Sequence, residues 1–226
     1  PVDAGGEWGR AVGLSEASNS MGGDLIDVVD HGASADVILA DVSGHGVRAG
    51  VVMAMLKTAF RGAATGDRSP GDVAAAVNEA MVALTAEDVF ATAWLLRMTT
   101  DGCVECVGCG HPPVFRIGRD GATSQIASES MPLGVVGETD FESCRIELGP
   151  GERLVLFSDG LTEARFPNGE MIGIEGLERL IRGIGTEEVA TLPRRVLLAV
   201  TTSSTTDDDQ SVLVATGAAS EPDASA

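Results

Sequence analysis

Short runs of Val, Ile and Leu recur along the chain, bounded by glycine or charged residues. Runs of this length and composition predict buried β-strands. We expect strands at Ala11–Leu14, Leu25–Val29, Val37–Ala40, Thr92–Met98, Cys103–Cys109, Val114–Ile117, Cys144–Leu148, Leu154–Phe157 and Ser211–Ala215. Asp101-Gly102 and Asp120-Gly121 separate neighbouring runs and are typical of tight hairpin turns. The pattern therefore predicts sheets with antiparallel neighbours.

Apolar residues at helical spacing predict a first helix over Val47–Ala64. Ser69-Pro70-Gly71-Asp72 supplies an N-cap serine, a proline at the first helical position and an acid in the first turn, and predicts a second helix through Leu84. Further helices are expected over Gly173–Ile181 and Thr186–Val200, the latter broken or restarted at Pro193. Two consecutive helices before a run of strands favour an α+β fold with helices packed on a sheet face.

The length of 226 residues indicates one main domain, expected over residues 11–216. Residues 1–10 resemble a glycine-rich lead-in, and the small residues of 217–226 predict a disordered tail. The chain begins at Pro1 without a methionine, which is expected for a piece of a longer polypeptide, although processing would give the same start.

The formal net charge of -19 is far from ordinary, although 44% hydrophobic and 22% charged residues are usual for a globular protein. A strongly negative field repels nucleic acid and anionic membranes, so neither is expected as a partner. No apolar run approaches the ~20 residues that span a bilayer. Four cysteines are too few for a disulfide scaffold, and we expect a cytoplasmic location.

Aspartates stand at the ends of several predicted strands. Asp41 follows Val37–Ala40, Asp159 closely follows Leu154–Phe157, and Asp208 shortly precedes Ser211–Ala215. Asp24 stands in Met21-Gly22-Gly23-Asp24. Carboxylates gathered at one rim of a sheet suit hard divalent cations such as Mg²⁺ and Mn²⁺. Two cations about 3.5–4 Å apart could activate a water and neutralise a phosphoryl group. The pattern predicts a metal-dependent hydrolase.

Each acid also has a structural interpretation. Asp41 could cap the following helix, and Asp159-Gly160 could be a plain turn. Asp207-Asp208-Asp209 could be a solvated acidic run, and Asp24 a loop residue. Converging carboxylates would repel one another, however, and a bound cation is the usual remedy.

Five motifs surround the aspartates and two histidines. They are Gly22-Gly23-Asp24-Leu25-Ile26-Asp27, Ala40-Asp41-Val42-Ser43-Gly44-His45-Gly46, Gly108-Cys109-Gly110-His111-Pro112-Pro113, Phe157-Ser158-Asp159-Gly160-Leu161-Thr162-Glu163-Ala164 and Asp208-Asp209-Gln210-Ser211. By these motifs the chain resembles the SpoIIE-like bacterial branch of the metal-dependent (type 2C) serine/threonine protein phosphatases. The motifs occur in the family's order and cover roughly Ala11 to Ala215.

The resemblance implies a four-layer α-β-β-α sandwich, with two mostly antiparallel sheets flanked by helices and a two-metal site at one end. By motif position Asp41 would bridge two Mn²⁺ or Mg²⁺ ions, with Asp24 and the Val42 carbonyl on one of them. Asp159 and Asp208 would hold the other, Asp209 ranks below Asp208, and Asp27 would support the ligands. The implied reaction is hydrolysis of phosphoserine or phosphothreonine by a metal-activated water.

Two histidines and a cysteine group have further interpretations. His45 could be a general acid or could shape its loop, and His111 is expected to fix a tight turn. Cys103, Cys106, Cys109 and His111 imitate the spacing of a zinc site, but strand alternation should send the thiols to opposite faces. The residues that would contact the substrate phosphate remain unassigned. No arginine directly precedes Asp24 as a phosphate clamp, and Arg10 is the nearest arginine before it. Amides at the helix start near Gly46 could face an anion.

The resemblance implies a protein phosphatase acting on a bacterial regulatory partner, such as a STAS-type anti-sigma-factor antagonist in a partner-switching pathway, with sensor domains elsewhere in the full-length chain. Two alternatives remain open. One is a degenerate phosphatase domain that only binds or regulates, and the other is a metal phosphoesterase that acts on a small molecule. The acidic set argues against the first, since a pseudoenzyme has no physical reason to retain uncompensated carboxylates.

Overall fold

Two antiparallel sheets form the centre of the molecule. The computed structural model describes residues 1–18, 22–86, 88–185 and 187–218. One sheet has the order β1-β2-β11-β10-β7-β8 and the other β3-β4-β5-β6-β9. The strands are β1 (Val2–Gly6), β2 (Gly9–Glu16), β3 (Asp24–Asp30), β4 (Ser34–Val42), β5 (Ala91–Thr99), β6 (Cys103–Cys109), β7 (Val114–Ile117), β8 (Thr123–Ile126), β9 (Cys144–Glu147), β10 (Arg153–Phe157) and β11 (Gln210–Thr216).

Helices cover the outer face of each sheet. They are α1 (Gly46–Ala63), α2 (Pro70–Leu84), α3 (Asp159–Thr162), α4 (Gly173–Ile184) and α5 (Leu192–Ser203). One apolar cluster joins α1 and α2 to the five-stranded sheet that contains β3 and β4. Another joins α4 and α5 to the six-stranded sheet that contains β10 and β11. A third cluster lies between the sheets. The predicted α+β, α-β-β-α layering is confirmed. Among the described residues, no helix has both the length and the apolar character needed to cross a membrane.

Strand β10 shows why these sequences form buried strands. Leu154 and Leu156 point into the core between the sheets, whereas Val155 and Phe157 pack under the helices. Both faces are buried, so the run is continuously apolar rather than alternating. Complete burial of a Leu, Val or Phe side chain contributes about 1.5–3 kcal/mol.

The predicted helices are confirmed with small changes at their ends. At the start of α2, the Ser69 hydroxyl accepts the Asp72 backbone N–H at 3.1 Å, and the Asp72 carboxylate accepts the Ser69 backbone N–H at 3.3 Å. The fourth predicted helix begins later than expected, because α5 starts at Leu192 and places Pro193 in its first turn. Thr186, where that helix was predicted to start, lies outside the described residues.

The expected lead-in over residues 1–10 is corrected by the structure. Val2–Gly6 forms β1, which pairs with β2 along its whole length, and Trp8 is fully buried. The indole N–H of Trp8 donates to Asp30 at 3.1 Å. Because this segment is rich in glycine, its composition did not predict the edge strand β1. Of the predicted tail, residues 219–226 lie outside the described residues, as does Met21.

Candidate metal centre

Asp24 and Asp41 face each other across two paired strands. Asp24 opens β3, and its register partner in β4 is Asp41. Side chains directly opposite each other in an antiparallel pair lie on the same face, where two negative charges destabilise the sheet. That face is the inner one, because Leu39, two residues before Asp41, lies in the core between the sheets. The pair therefore requires a proton or a cation.

The opposite sheet supplies two more carboxylates at the same end. Asp159 begins α3 just after β10, and Asp208 precedes β11, which pairs with β10. Burial, followed by the charges of Asp208 and Glu163, raises the pKa of Asp159, and a smaller hydrogen-bonding contribution from the neighbouring Asp41 carboxyl lowers it. The structure thus brings Asp24, Asp41, Asp159 and Asp208 to one end of the sandwich.

Burial and mutual repulsion strongly raise the pKa values of Asp24 and Asp41. Burial, followed by the charges of Asp24 and Asp159, raises the pKa of Asp41 to about 9. Burial is also the main reason that the pKa of Asp24 is raised to about 7. The hydroxyls of Ser211 and Ser158 are near enough to lower that pKa, although neither forms a hydrogen bond of normal geometry with Asp24. Without a cation, both positions therefore favour the neutral acid much more than an exposed aspartate does.

The available oxygen atoms fit a hard divalent cation. Both carboxylate oxygens of Asp24 and Oδ1 of Asp159 are buried without a hydrogen-bond partner among the described residues. A Cβ atom on Gly23 would lie 2.8 Å from the Val42 carbonyl oxygen and 3.5 Å from Oδ1 of Asp41. These oxygens therefore border one space that only glycine leaves open. Carboxylates and backbone carbonyls are the ligands that Mg²⁺ and Mn²⁺ prefer.

The four carboxylates lie at the same end of the sandwich, but their side chains do not converge on one point. Within the described ranges, no three His, Cys, Asp or Glu side chains already form a group that could hold a metal ion. Asp208 is exposed, and its Oδ1 accepts the backbone N–H of Asp209 at 2.8 Å. Asp208 is therefore the most exposed of the four acids, since Asp24, Asp41 and Asp159 are partly buried.

Asp209 is a buried anchor for the loop before β3. Its two carboxylate oxygens accept the backbone N–H groups of Ser18 at 2.8 Å and Gly23 at 2.7 Å. A Cβ atom on Gly160 would lie 2.1 Å from the Asp209 carbonyl oxygen, so only glycine fits beside it. The sequence analysis did not identify this anchoring role, because the contacts join residues far apart in the chain.

Asp27 is oriented away from the acidic cluster. It is buried on the helix side of β3, where Arg61 of α1 donates to both its oxygens at 2.6 and 2.7 Å. Lys57 lies 3.6 Å away. The expectation that Asp27 supports the ligands is therefore corrected: its contacts fix α1 against β3.

The two histidines differ in burial. His45 is exposed at the N-cap position of α1 and makes no side-chain capping bond. His111 is buried, with Nε2 3.0 Å from the Phe157 carbonyl and Nδ1 2.7 Å from the Thr92 hydroxyl. The carbonyl can only accept, so Nε2 carries the proton and Nδ1 accepts from Thr92. His111 thus links the two sheets near Asp159, instead of only fixing a turn.

The cysteines follow the predicted strand alternation. Cys106 lies in the core between the sheets, whereas Cys109 faces α1 and α2. The Sγ atom of Cys106 is 3.0 Å from that of Cys144, its register partner on β9. His111 is engaged elsewhere, so these side chains do not converge as a zinc site would require.

A polar recess of about 600 Å³ opens beside the acidic cluster. Its lining includes Gly44, His45, Glu163, Arg165, Thr205 and Asp208. Arg10 is not part of it. Arg10 pairs with Thr216 at the far end of β11 and forms an ion pair with Asp3 at 2.8 Å.

Comparisons with known proteins agree with this architecture. A family model described as Stage II sporulation protein E (SpoIIE) matches residues 27–217. Phosphoserine phosphatase RsbU of Bacillus subtilis is 27% identical over 158 residues, which are 69% of this chain and 47% of RsbU. The chain therefore spans about half the length of RsbU, and it spans 12% of another curated relative, Protein IcfG of Synechocystis.

Solved structures show the same fold. The RsbU and RsbW domains of a Mycobacterium tuberculosis protein superpose with a TM-score of 0.81 at 24% identity, covering 94% of this chain and 61% of that one. The PP2C phosphatase domain of SpoIIE from Bacillus subtilis, with a fragment of its regulatory domain, gives a TM-score of 0.80 at 19% identity, covering 91% and 62%. RsbX in complex with magnesium gives 0.66 at 15% identity, covering 92% and 94%.

Proposed function

The chain belongs to the SpoIIE family, and we propose on this basis that it is a metal-dependent protein serine/threonine phosphatase. The observation that carries the proposal is the pair Asp24 and Asp41, held opposite each other, with both Asp24 oxygens buried and without a hydrogen-bond partner in the described part of the chain. RsbU, the relative matched over most of this chain, is named a phosphoserine phosphatase.

Asp41 would lie between two divalent cations, Mn²⁺ or Mg²⁺. Asp24 and the Val42 carbonyl would hold one of them, because these oxygens border the space beside Gly23. Asp159 and Asp208 would hold the other from the opposite sheet. When bound, such cations activate water and neutralise charge on a transferring phosphoryl group. The RsbX structure with magnesium supports a divalent ion in this fold.

The chain's other residues keep this end in place. Asp209 holds Gly23 and so fixes the approach to Asp24, while His111 joins Thr92 to Phe157. Thr92 is the register partner of Asp41, and Phe157 lies two residues before Asp159. His111 therefore sets the spacing between ligands that come from different sheets.

The proposed substrate is a phosphoseryl or phosphothreonyl group on a regulatory partner protein in the cytoplasm. A STAS-type anti-sigma-factor antagonist of a partner-switching pathway is our specific proposal, and the RsbU and RsbW domains of the Mycobacterium protein support such a setting. Because the chain spans only part of RsbU, sensor domains elsewhere in a longer chain are also proposed.

Phosphate release from two kinds of substrate tests the proposal. The protein with Mn²⁺ should release phosphate from a panel of phosphoserine proteins, including STAS-domain candidates, far faster than from a small aryl phosphate at equal concentration. Faster turnover of small esters than of every phosphoprotein would instead support a small-molecule phosphoesterase. No release from either class would support a binding module.

A further inference from the structure

We propose that Arg165 binds the phosphate group of the substrate, in the recess beside Asp208. This inference rests on the proposed function and names a contact that the acidic cluster itself does not supply. Arg165 lies three residues after α3 and lines the recess together with Asp208 and His45.

The recess is lined by negative charges, so a positively charged side chain is needed there to bind a phosphate group. Glu163, Asp207 and Asp208 all line it, and the chain carries a net charge of -19. A phosphate dianion entering the recess is repelled by the carboxylates of Glu163 and Asp207, which lie beside the proposed metal ligand Asp208. Among the described residues that line the recess, Arg165 is the one arginine or lysine. A guanidinium donates two parallel hydrogen bonds to phosphate oxygens, a geometry that lysine does not provide.

The backbone of Arg165 is held firmly, whereas its charge is not neutralised. Its N–H donates to the Thr205 carbonyl at 2.8 Å, and the Thr205 N–H donates to the Arg165 carbonyl at 2.9 Å. This link ties the segment after α3 to the segment that carries Asp208. Arg165 therefore keeps its position relative to Asp208 when a ligand enters.

Most N–H donors of the Arg165 guanidinium group remain available to a ligand. Its Nη1 atom donates to the Gly169 carbonyl at 3.0 Å, which orients the side chain. Arg61 and Arg97 each form a bidentate ion pair with a buried aspartate, but Arg165 forms no ion pair with any acid in the described ranges. An exposed, oriented and unpaired guanidinium beside a candidate metal ligand is suited to bind an anion.

The test compares Arg165→Gln and Arg165→Lys with Arg119→Gln in the Mn²⁺-loaded protein. Arg119 is a matched control, because it is exposed and lies near Gly151, at the end of β10 opposite Asp159. Calorimetry should show inorganic phosphate binding weakened roughly 10- to 100-fold in Arg165→Gln, the effect of losing charge-assisted hydrogen bonds. The KM for a phosphoserine peptide should rise by a similar factor, Arg165→Lys should recover part of the loss, and Arg119→Gln should match wild type.

The outcomes separate this inference from the proposed function. Wild type that binds phosphate but hydrolyses no phosphoester would end the proposed function, and weaker phosphate binding in Arg165→Gln would still support the assignment. Unchanged phosphate binding in Arg165→Gln, or no phosphate binding by wild type, would overturn it. A matching loss of Mn²⁺ affinity in a folded Arg165→Gln protein would also overturn it, since Arg165 would then act on the metal ligands.

Discussion

Asp41 is the residue on which the proposed site depends most. It faces Asp24 across the strand pair, and Asp159 and Asp208 act on it from the opposite sheet. Replacing Asp41 with Asn removes a charge that both cations would share. We predict that Asp41→Asn lowers kcat at least ~10²-fold at saturating Mn²⁺, as expected for damage to a catalytic metal site.

Steady-state phosphopeptide hydrolysis measures this effect, with Asp140→Asn as a control at an exposed aspartate outside the acidic cluster. The control should keep the wild-type rate. Wild-type turnover by Asp41→Asn would place the catalytic site elsewhere.

His111 gives a second prediction at the residue scale. Burial lowers the pKa of His111 to about 3, well below its ordinary value of 6.5. The neutral ring is favoured in the folded state, so its contribution to stability is present above pH 6.5 and is lost as the pH falls towards 3. One such group contributes a slope of up to about 1.4 kcal/mol per pH unit.

Urea unfolding at pH 7, 6 and 5 measures the slope. We expect a shallower fall of unfolding free energy in His111→Asn than in wild type, while His45→Asn, at an exposed histidine, keeps the wild-type slope. Parallel curves for wild type and His111→Asn would show that His111 does not control acid stability.

At the scale of elements, the ends of helices and strands position the acidic cluster. The capping box of Ser69 and Asp72 stabilises the start of α2, which packs with α1 against the sheet of β3 and β4. We predict that Ser69→Ala lowers the unfolding free energy by about 1 kcal/mol, since it removes an N-cap acceptor. Urea denaturation checks this, with Ser69→Thr expected to lose much less. Equal losses in both variants would mean that the cap bond contributes little.

The sequence predicted strands whose side chains are apolar on both faces, such as Leu154–Phe157, because burial alone determines that pattern. It did not predict β8, Thr123–Ile126, whose polar residues are held by pairing with β7. Nor did it predict β1, where glycines conceal an edge strand. In these cases hydrogen bonding to a neighbouring strand, rather than composition, decides the structure.

In the candidate site too, local sequence patterns predict some features, whereas others depend on contacts between distant parts of the chain. The aspartates were predicted from motifs, and the structure brings them to one end of the sandwich. The exact opposition of Asp24 and Asp41 depends on strand register, and the His111 contact with Phe157 depends on how two sheets pack. Asp209 holds the Ser18 and Gly23 amides across more than half of the chain. Such long-range contacts leave no local pattern in a sequence.

At the scale of the whole molecule, the clustered acids make stability depend on metal. Burial and mutual repulsion raise the pKa values of Asp24, Asp41 and Asp159, so a bound cation should stabilise the folded state. We predict that Mn²⁺ raises the thermal midpoint of wild type, and raises it much less in Asp159→Asn or Asp208→Asn. Differential scanning fluorimetry measures the shift, with Asp140→Asn expected to show the full effect. A full shift in both ligand variants would remove Asp159 and Asp208 from the proposed second metal position.

Chelation of the intact protein tests the central claim most directly. Phosphate release from a phosphoserine protein substrate is followed before EDTA, after EDTA with metal loss confirmed by elemental analysis, and after Mn²⁺ or Mg²⁺ is restored. We predict that activity disappears on chelation and returns with either ion, because at neutral pH the attacking water needs a cation to activate it. Undiminished phosphate release from protein shown to be free of divalent metal would contradict the assignment of Asp24, Asp41, Asp159 and Asp208 as a metal-dependent catalytic site.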